Sequence, residues 1–122
     1  MNTLEKEFVP YEQALALKEL GFDEECLGNF ADDEKHTLFT NGNRPGKIDA
    51  PTFSQAFRWF REKHKIHPVI NLTIIGTWYF ELYDLNDKRN AEIKTNQNEF
   101  KTPEEAELAC LIKLIEIVKE KK

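Results

Sequence analysis

Basic and aromatic residues alternate along one predicted helix, and an aromatic pair follows on the next predicted hairpin. The set consists of Arg58, Trp59, Arg61, Lys63, Trp78 and Tyr79. Aromatic faces stack on nucleobases, and guanidinium groups contact phosphates through two parallel hydrogen bonds. The set therefore predicts a surface that binds a nucleotide or a single strand. The alternative is that Trp78 belongs to the core and that the arginines pair with nearby carboxylates.

Histidines and carboxylates do not complete a metal site in the sequence. His64 and His67 are three residues apart and could share a metal ion, but no third ligand stands nearby. The acidic run 32–34 beside His36 lacks the glycine and the alternating oxygens of a calcium loop. We therefore expect a capping or surface role for the histidine pair, a solvated acidic loop, and no metal or other cofactor.

Nucleophilic catalysis has no support in the residue pattern. Cys26 and Cys110 are far apart and lie in no ligand spacing, which favours buried, reduced thiols. No serine or cysteine lies in a nucleophile elbow, and no carboxylate pair stands out among the 22 acidic residues. The sequence thus favours a binding protein over an enzyme, although it would not reveal an active site scattered along the chain.

Composition limits the class of protein. The 122 residues, 40% hydrophobic and 32% charged, predict a single folded domain over residues 1–122. A formal net charge of −5 argues against general affinity for nucleic-acid backbone, which lysines and arginines provide. The charged start MNTLEKEF and the lack of a long apolar run predict a cytoplasmic protein with no membrane contact.

Two helices are predicted in the first half of the chain. Proline and glycine signals place the first helix between Pro10 and Gly21, with Phe22 folding back onto its last turn. Short strands and turns are expected over 23–50, including a hairpin that turns at residues 41–42. The second helix covers 51–64, and Trp59 falls outside its apolar stripe, either as a lid over the core edge or as an exposed platform.

The second half of the chain predicts a small antiparallel sheet. Alternating residues indicate a hairpin over 67–83, and a weak third strand follows at 91–95. With three helices packing this sheet, the fold class is α+β. The last helix begins at Thr102 with a capping box that Glu105 completes, and it extends to Glu120.

This last helix is apolar around most of its circumference. Such a helix either packs on two sides within its own fold or covers a surface on a partner chain. We expect a homodimer or higher assembly whose interface contains Leu108, Ile112 and Ile115.

Three blocks of the sequence resemble a family of small uncharacterised phage proteins, especially from phages that infect Bacteroidetes. The blocks are FVPYEQALALKELGFDEECLG, APTFSQAFRWFREKH and TPEEAELACLIKLIEIVKEK. The resemblance implies a phage origin and a place in the host cytoplasm, and it assigns no catalytic residue. By analogy with phage accessory proteins, we expect the protein to bind a host protein or a small anionic, nucleotide-like ligand, and to counter host defence by doing so. The alternative is nucleic-acid binding through the basic and aromatic set.

Overall fold

The computed structural model describes residues 6–87, 92–93 and 98–121. In chain order, the helices and strands are α1 (Tyr11–Glu19), β1 (Gly28–Phe30), β2 (Leu38–Phe39), β3 (Ile48–Ala50), α2 (Phe53–Lys63), β4 (Ile66–Leu72), β5 (Trp78–Asp84), β6 (Glu92–Ile93) and α3 (Pro103–Lys121). Packing divides the chain into two units, Met1–Ala56 and Phe57–Lys122, with the boundary inside α2. Each unit contains one three-stranded antiparallel sheet. The α+β class is confirmed, and the single domain over 1–122 stays a prediction.

Helix α1 has the ends that its sequence predicts. Pro10 occupies the N-cap position. At the other end, the Phe22 amide donates to the Leu17 carbonyl at 3.0 Å, and the Gly21 amide donates to the Lys18 carbonyl at 3.0 Å. Gly21 adopts a φ of 103°, which glycine reaches without steric cost. These two bonds form a Schellman motif, so the predicted stop at Gly21 and the return of Phe22 are confirmed.

The first unit contains a sheet that the sequence did not reveal as a whole, with strand order β2-β1-β3. Asn29 of β1 lies opposite Phe39 of β2 on one side and Asp49 of β3 on the other. Strand β2 is therefore present, but the predicted hairpin that turns at residues 41–42 is wrong. The reason is that β2 pairs with the strand that precedes it, β1, and not with a strand that follows residues 41–42. Next to this pairing, the Ala31 amide donates to the Thr37 carbonyl at 2.8 Å.

A buried asparagine attaches the segment before β3 to β1. The Asn29 side-chain amide donates to the carbonyl oxygens of Gly46 and Ile48, at 3.2 and 3.3 Å, and its Oδ1 atom accepts the Gly46 amide at 2.9 Å. It also donates to the carboxylate of Asp49 at 3.1 Å, which forms an ion pair with Arg44. Every polar atom of this buried side chain is thereby satisfied, as burial of an amide requires.

The second unit is built on the predicted hairpin of β4 and β5. Ile66 lies opposite Asp84 and Leu72 lies opposite Trp78, so the two strands pair over their full length. Strand β6 pairs with β5 in antiparallel register. The hairpin over 67–83 is confirmed. Residues 92–93 of the predicted third strand are confirmed too, while 91, 94 and 95 lie outside the described residues.

Helix α3 packs on β4 and β5. Its start is the predicted capping box, in which the Glu105 amide donates to the Thr102 hydroxyl at 3.2 Å. The Glu105 carboxylate accepts a hydrogen bond from the Thr102 hydroxyl. The capping box predicted from the sequence has the Thr102 backbone amide as the donor instead. One stripe of the helix is buried, as its spacing of three and four residues requires; its members are Ala106, Cys110, Leu111, Leu114, Ile115 and Val118.

Gly46 offers a test of the packing around β1. A Cβ atom at Gly46 would overlap the carbonyl oxygen of Phe30, and the obstacle is backbone that cannot rotate away. We expect Gly46→Ala to lower the free energy of unfolding by about 2 kcal/mol in urea denaturation. The exposed Asn43→Ala is the matched control in the same loop. An equal effect of the two substitutions would contradict this account.

Candidate functional site

Helix α2 separates the basic residues of the predicted surface from its tryptophan. Arg58 and Lys63 are exposed and Arg61 is half-buried. The Trp59 side chain is only 3% exposed, and its ring meets the rings of Phe60 and His64 with centroids 5.0 and 4.9 Å apart. The interpretation of Trp59 as an exposed platform is therefore wrong, because the indole is part of the core.

Trp78 and Tyr79 lie on opposite faces of β5. Successive side chains of a strand point to opposite sides of the sheet. Trp78 shares its side with the buried residues Phe80 and Leu82, and its backbone pairs with Phe100. Tyr79 is on the other side, with Glu81. The six predicted binding residues thus do not form one surface, and the alternative in which Trp78 belongs to the core face fits the structure better.

The three predicted interface residues of α3 differ in exposure. Ile112 is 42% exposed, and Leu108 is half-buried. Ile115 is buried against the rest of the described chain, so its side chain is not available to a partner. Only the side of the helix that carries Leu108 and Ile112 retains accessible apolar surface from this set.

Neither histidine of the predicted pair has metal-binding surroundings. His64 meets the rings of Trp59 and Phe60, and His67 lies opposite Tyr83 in the β4–β5 register. Within residues 6–87, 92–93 and 98–121, no three metal-binding side chains come together. In the same ranges no helix is long and apolar enough to span a membrane.

A cavity of about 400 Å³ in the first unit is a stronger candidate site. We name it the His36 cavity; its lining residues are Lys6, Phe8, Val9, Pro10, Phe30, Lys35, His36, Thr37 and Leu38. Apolar side chains provide most of the lining, while Lys6 and Lys35, both exposed, supply positive charge. An apolar pocket with a few polar groups is the usual form of a small-molecule site.

Non-local pairing assembles the His36 cavity. Phe8 forms an isolated bridge with Thr52, and the Val9 amide donates to the Pro51 carbonyl at 2.9 Å, which holds the chain before α1 in place. On the other side, Phe30 ends β1 and Leu38 begins β2. The loop between these strands delivers Lys35 and His36.

His36 is held in an uncommon conformation. Its φ of 49° is in the left-handed region, which few residues other than glycine occupy outside functional or tightly turned segments. Its ring stacks on Tyr11 with centroids 3.6 Å apart and planes 8° apart, and Tyr11 in turn meets the edge of Phe30 at 5.5 Å. Tyr11 in the first turn of α1 therefore holds the imidazole in place.

The Nδ1 atom of His36 is buried and has no hydrogen-bond partner in the described structure. A buried polar atom without a partner costs about 1–3 kcal/mol, so native proteins retain few of them. His36 also lines the cavity, so a buried unpaired atom and a concave surface occur at the same residue.

Asp33 stabilises the loop that carries His36. Its carboxylate accepts the Thr37 amide at 3.2 Å and the Thr37 hydroxyl at 3.3 Å, while its carbonyl accepts the His36 amide at 3.2 Å. The hydrogen bond from the Thr37 backbone amide is the main cause that lowers the pKa of Asp33 below its ordinary value of 3.8. The hydrogen bonds of this carboxylate are therefore made within the loop.

The thiols are poor candidates for a nucleophile. Burial is the main cause that raises the pKa of Cys26 to about 12, with Asp49 adding to it. Burial also raises the pKa of Cys110, which lies in the buried stripe of α3. A nucleophilic cysteine needs the thiolate form at neutral pH, so both thiols are in the protonated, unreactive state.

Comparison with protein-family models, curated proteins and solved structures gave no match. The resemblance to phage proteins therefore stays a prediction, and the functional argument rests on the geometry of the His36 cavity. Sequence reasoning missed this cavity because it regarded the loop 32–36 as solvated. The one local signal was a lysine and a histidine following directly on the acidic run.

The Asp33 hydrogen bonds predict a pH-dependent loop. Because the pKa of Asp33 is lowered in the folded protein, its carboxylate contributes fully to stability above pH 3.8. This contribution is lost as the pH falls through the lower pKa of the folded state. We expect the NMR shift of the Thr37 amide proton to titrate with a midpoint below 3.8. Asp33→Asn should abolish this titration, and Asp32→Asn should preserve it. A midpoint at or above 3.8 would show that the carboxylate gains nothing from the loop.

Proposed function

We propose that the protein binds a small anionic, nucleotide-like ligand in the His36 cavity. The observation that carries the proposal is the buried, unpaired Nδ1 atom of His36, a residue that lines the cavity together with Lys6 and Lys35. A ligand that supplies a hydrogen bond to this atom and negative charge to the lysines would remove the energetic cost of the unpaired group.

The cavity lining matches the two halves of a nucleotide. Lysine ammonium groups act as mobile point charges for a phosphate, and they reach it from exposed positions. Phe8, Phe30 and Leu38 offer apolar surface to a base. A volume of about 400 Å³ lies within the range of about 300–1,000 Å³ that small-molecule sites occupy.

Binding, rather than catalysis, is the activity that this chemistry supports. The lining of the His36 cavity includes no serine, cysteine or carboxylate, and the nearby Asp33 carboxylate is engaged with Thr37. We do not extend the proposal to nucleic acid bound through the basic and aromatic set. Trp59 is buried, and Trp78 and Tyr79 lie on opposite faces of β5, so the stacking platform that a single strand needs is not assembled.

The phage resemblance suggests a setting for such a ligand. We propose that the protein acts in the cytoplasm of an infected bacterial cell and sequesters a nucleotide signal made by a host defence system. A host protein is the other partner that the resemblance implies. Capturing a signal needs affinity and no chemistry, which is compatible with a small cavity whose lining includes no serine, cysteine or carboxylate.

Ligand binding at the His36 cavity is tested by calorimetry with defined probes. The probes are a nucleoside monophosphate, a cyclic dinucleotide, the uncharged nucleoside and inorganic phosphate. We expect at least one nucleotide to bind, the uncharged nucleoside to bind about tenfold more weakly, and Lys35→Ala to weaken nucleotide binding by a factor of about ten. His36→Asn, which tolerates the left-handed conformation, should weaken it as well.

Lys47→Ala is the matched control for this experiment. Lys47 is also an exposed lysine of the first unit but lies outside the His36 cavity, so its loss removes the same charge from the chain. An equal effect of Lys47→Ala and Lys35→Ala would indicate nonspecific attraction. Absence of binding by all four probes at millimolar concentration would refute the proposal.

We also propose self-association through Leu108 and Ile112 of α3. It is supported by the exposure of Ile112 on an otherwise well-packed helix. Light scattering over a range of concentrations should give a mass above that of one chain, and Ile112→Lys should return it to the monomer. Leu15→Lys, at a comparably exposed position of α1, should have no effect. A monomeric wild-type protein at the highest concentration would exclude this interface.

A further inference from the structure

The turn between β4 and β5 exposes a group of aliphatic side chains. Ile74 is fully exposed, Ile75 is 75% exposed, and Leu72 is 58% exposed. Single apolar residues on a surface are ordinary, whereas a contiguous apolar group indicates an interaction site. We name these three residues the hairpin tip.

Hydrogen bonds across the turn hold the hairpin tip in one conformation. The Thr73 amide donates to the Thr77 carbonyl at 2.7 Å, and the Gly76 amide donates to the Thr73 carbonyl at 3.2 Å. The hydroxyl groups of Thr73 and Thr77 are 2.7 Å apart, and Gly76 adopts a φ of 90° that suits the turn. A preorganised tip loses little conformational entropy when it inserts into a partner.

An acidic groove of about 290 Å³ begins at the same turn. Its lining residues are Thr73, Tyr79, Glu81, Glu92, Asn98 and Glu99. Glu99 accepts the Thr77 hydroxyl, which joins the groove directly to the turn. The Glu81 carboxylate accepts hydrogen bonds from the Asn71 side-chain amide at 2.7 Å and from the Tyr83 hydroxyl at 2.9 Å, so it has a fixed position. Among these lining residues there are three carboxylates and neither lysine nor arginine.

The charge of the acidic groove decides which partner the hairpin tip fits. An anionic membrane surface attracts basic segments and would repel three carboxylates next to the inserted residues. Two copies of this chain that met tip to tip would bring their grooves, and hence like charges, together. A protein that offers an apolar pocket and adjacent basic side chains complements both features.

We propose that the hairpin tip and the acidic groove form a docking surface for a partner protein with an apolar pocket bordered by lysine or arginine. Ile74 and Ile75 enter the pocket, and the carboxylates of Glu81 and Glu99 face the basic border. This surface belongs to the second unit and shares no residue with the His36 cavity, so its failure would leave the proposed ligand binding intact.

Designed helical peptides serve as probes of this surface. One peptide carries a leucine face and lysines elsewhere, a second replaces the lysines by glutamates, and a third has the first composition in scrambled order. We expect the first alone to bind in calorimetry. Replacing two of the three tip residues together, Ile74→Ser with Ile75→Ser, should weaken binding by at least about tenfold. In the wild-type protein, NMR shift changes should be largest at the amides of 73–77.

Leu27→Ser is the matched control, since Leu27 is an aliphatic residue of the first unit that is also strongly exposed. It should leave peptide binding unchanged. Binding that is insensitive to the tip substitutions, or shift changes away from 73–77, would overturn the proposal. Tip-dependent binding to zwitterionic phosphatidylcholine vesicles, which carry no net charge, would assign the tip to a membrane. Tip-dependent self-association would assign it to a second copy. Either result would also overturn the proposal.

Discussion

The first unit depends on satisfying the buried side-chain amide of Asn29. Burying an amide without hydrogen-bond partners costs more free energy than most single contacts contribute, so the fold has to bring donors and acceptors to it. Gly46 and Ile48 do so with backbone groups, and this places β3 beside β1. Helix α1 then packs on β3, and Tyr11 of that helix contacts both Phe30 and His36. The hydrogen bonding of this buried residue is thus one of the contacts that set the position of the His36 cavity.

The second unit follows from the alternation of side chains along β5. Phe80 and Leu82 are buried on the side that α3 covers, so Tyr79, Glu81 and Tyr83 must point to the other side. The polar side carries the hydrogen bonds of Glu81, and donation to Glu81 is the main cause that raises the pKa of Tyr83. The same strand therefore provides the core and the acidic groove.

Elements with local signals could be predicted from the sequence, and elements that depend on distant partners could not. Residues close together in the sequence determine the signals that could be recognised. These are the proline and glycine at the ends of α1, the capping box of α3, and the alternation over 67–83. Strands β1 and β3 have three residues each, too few for a period to emerge. The candidate site was missed for the same reason, because the bridge of Phe8 with Thr52 and the pairing of β1 with β2 bring its residues together. Trp59 misled the prediction because its large indole reaches the core from beside the apolar stripe.

Net charge is a weak guide to what a small protein binds, because its surface charges act locally. At physiological ionic strength, charges separated by more than about 8 Å are largely screened from one another. A formal charge of −5 therefore argues against an extended interface with a phosphate backbone, which needs many cations in a row. It does not prevent two lysines and a histidine from creating a site for one anion, particularly where the nearby Asp33 carboxylate is occupied by Thr37. The groove beside the hairpin tip is lined by carboxylates, so its local charge has the opposite sign. One chain can therefore carry both a site for an anion and a surface that attracts cations.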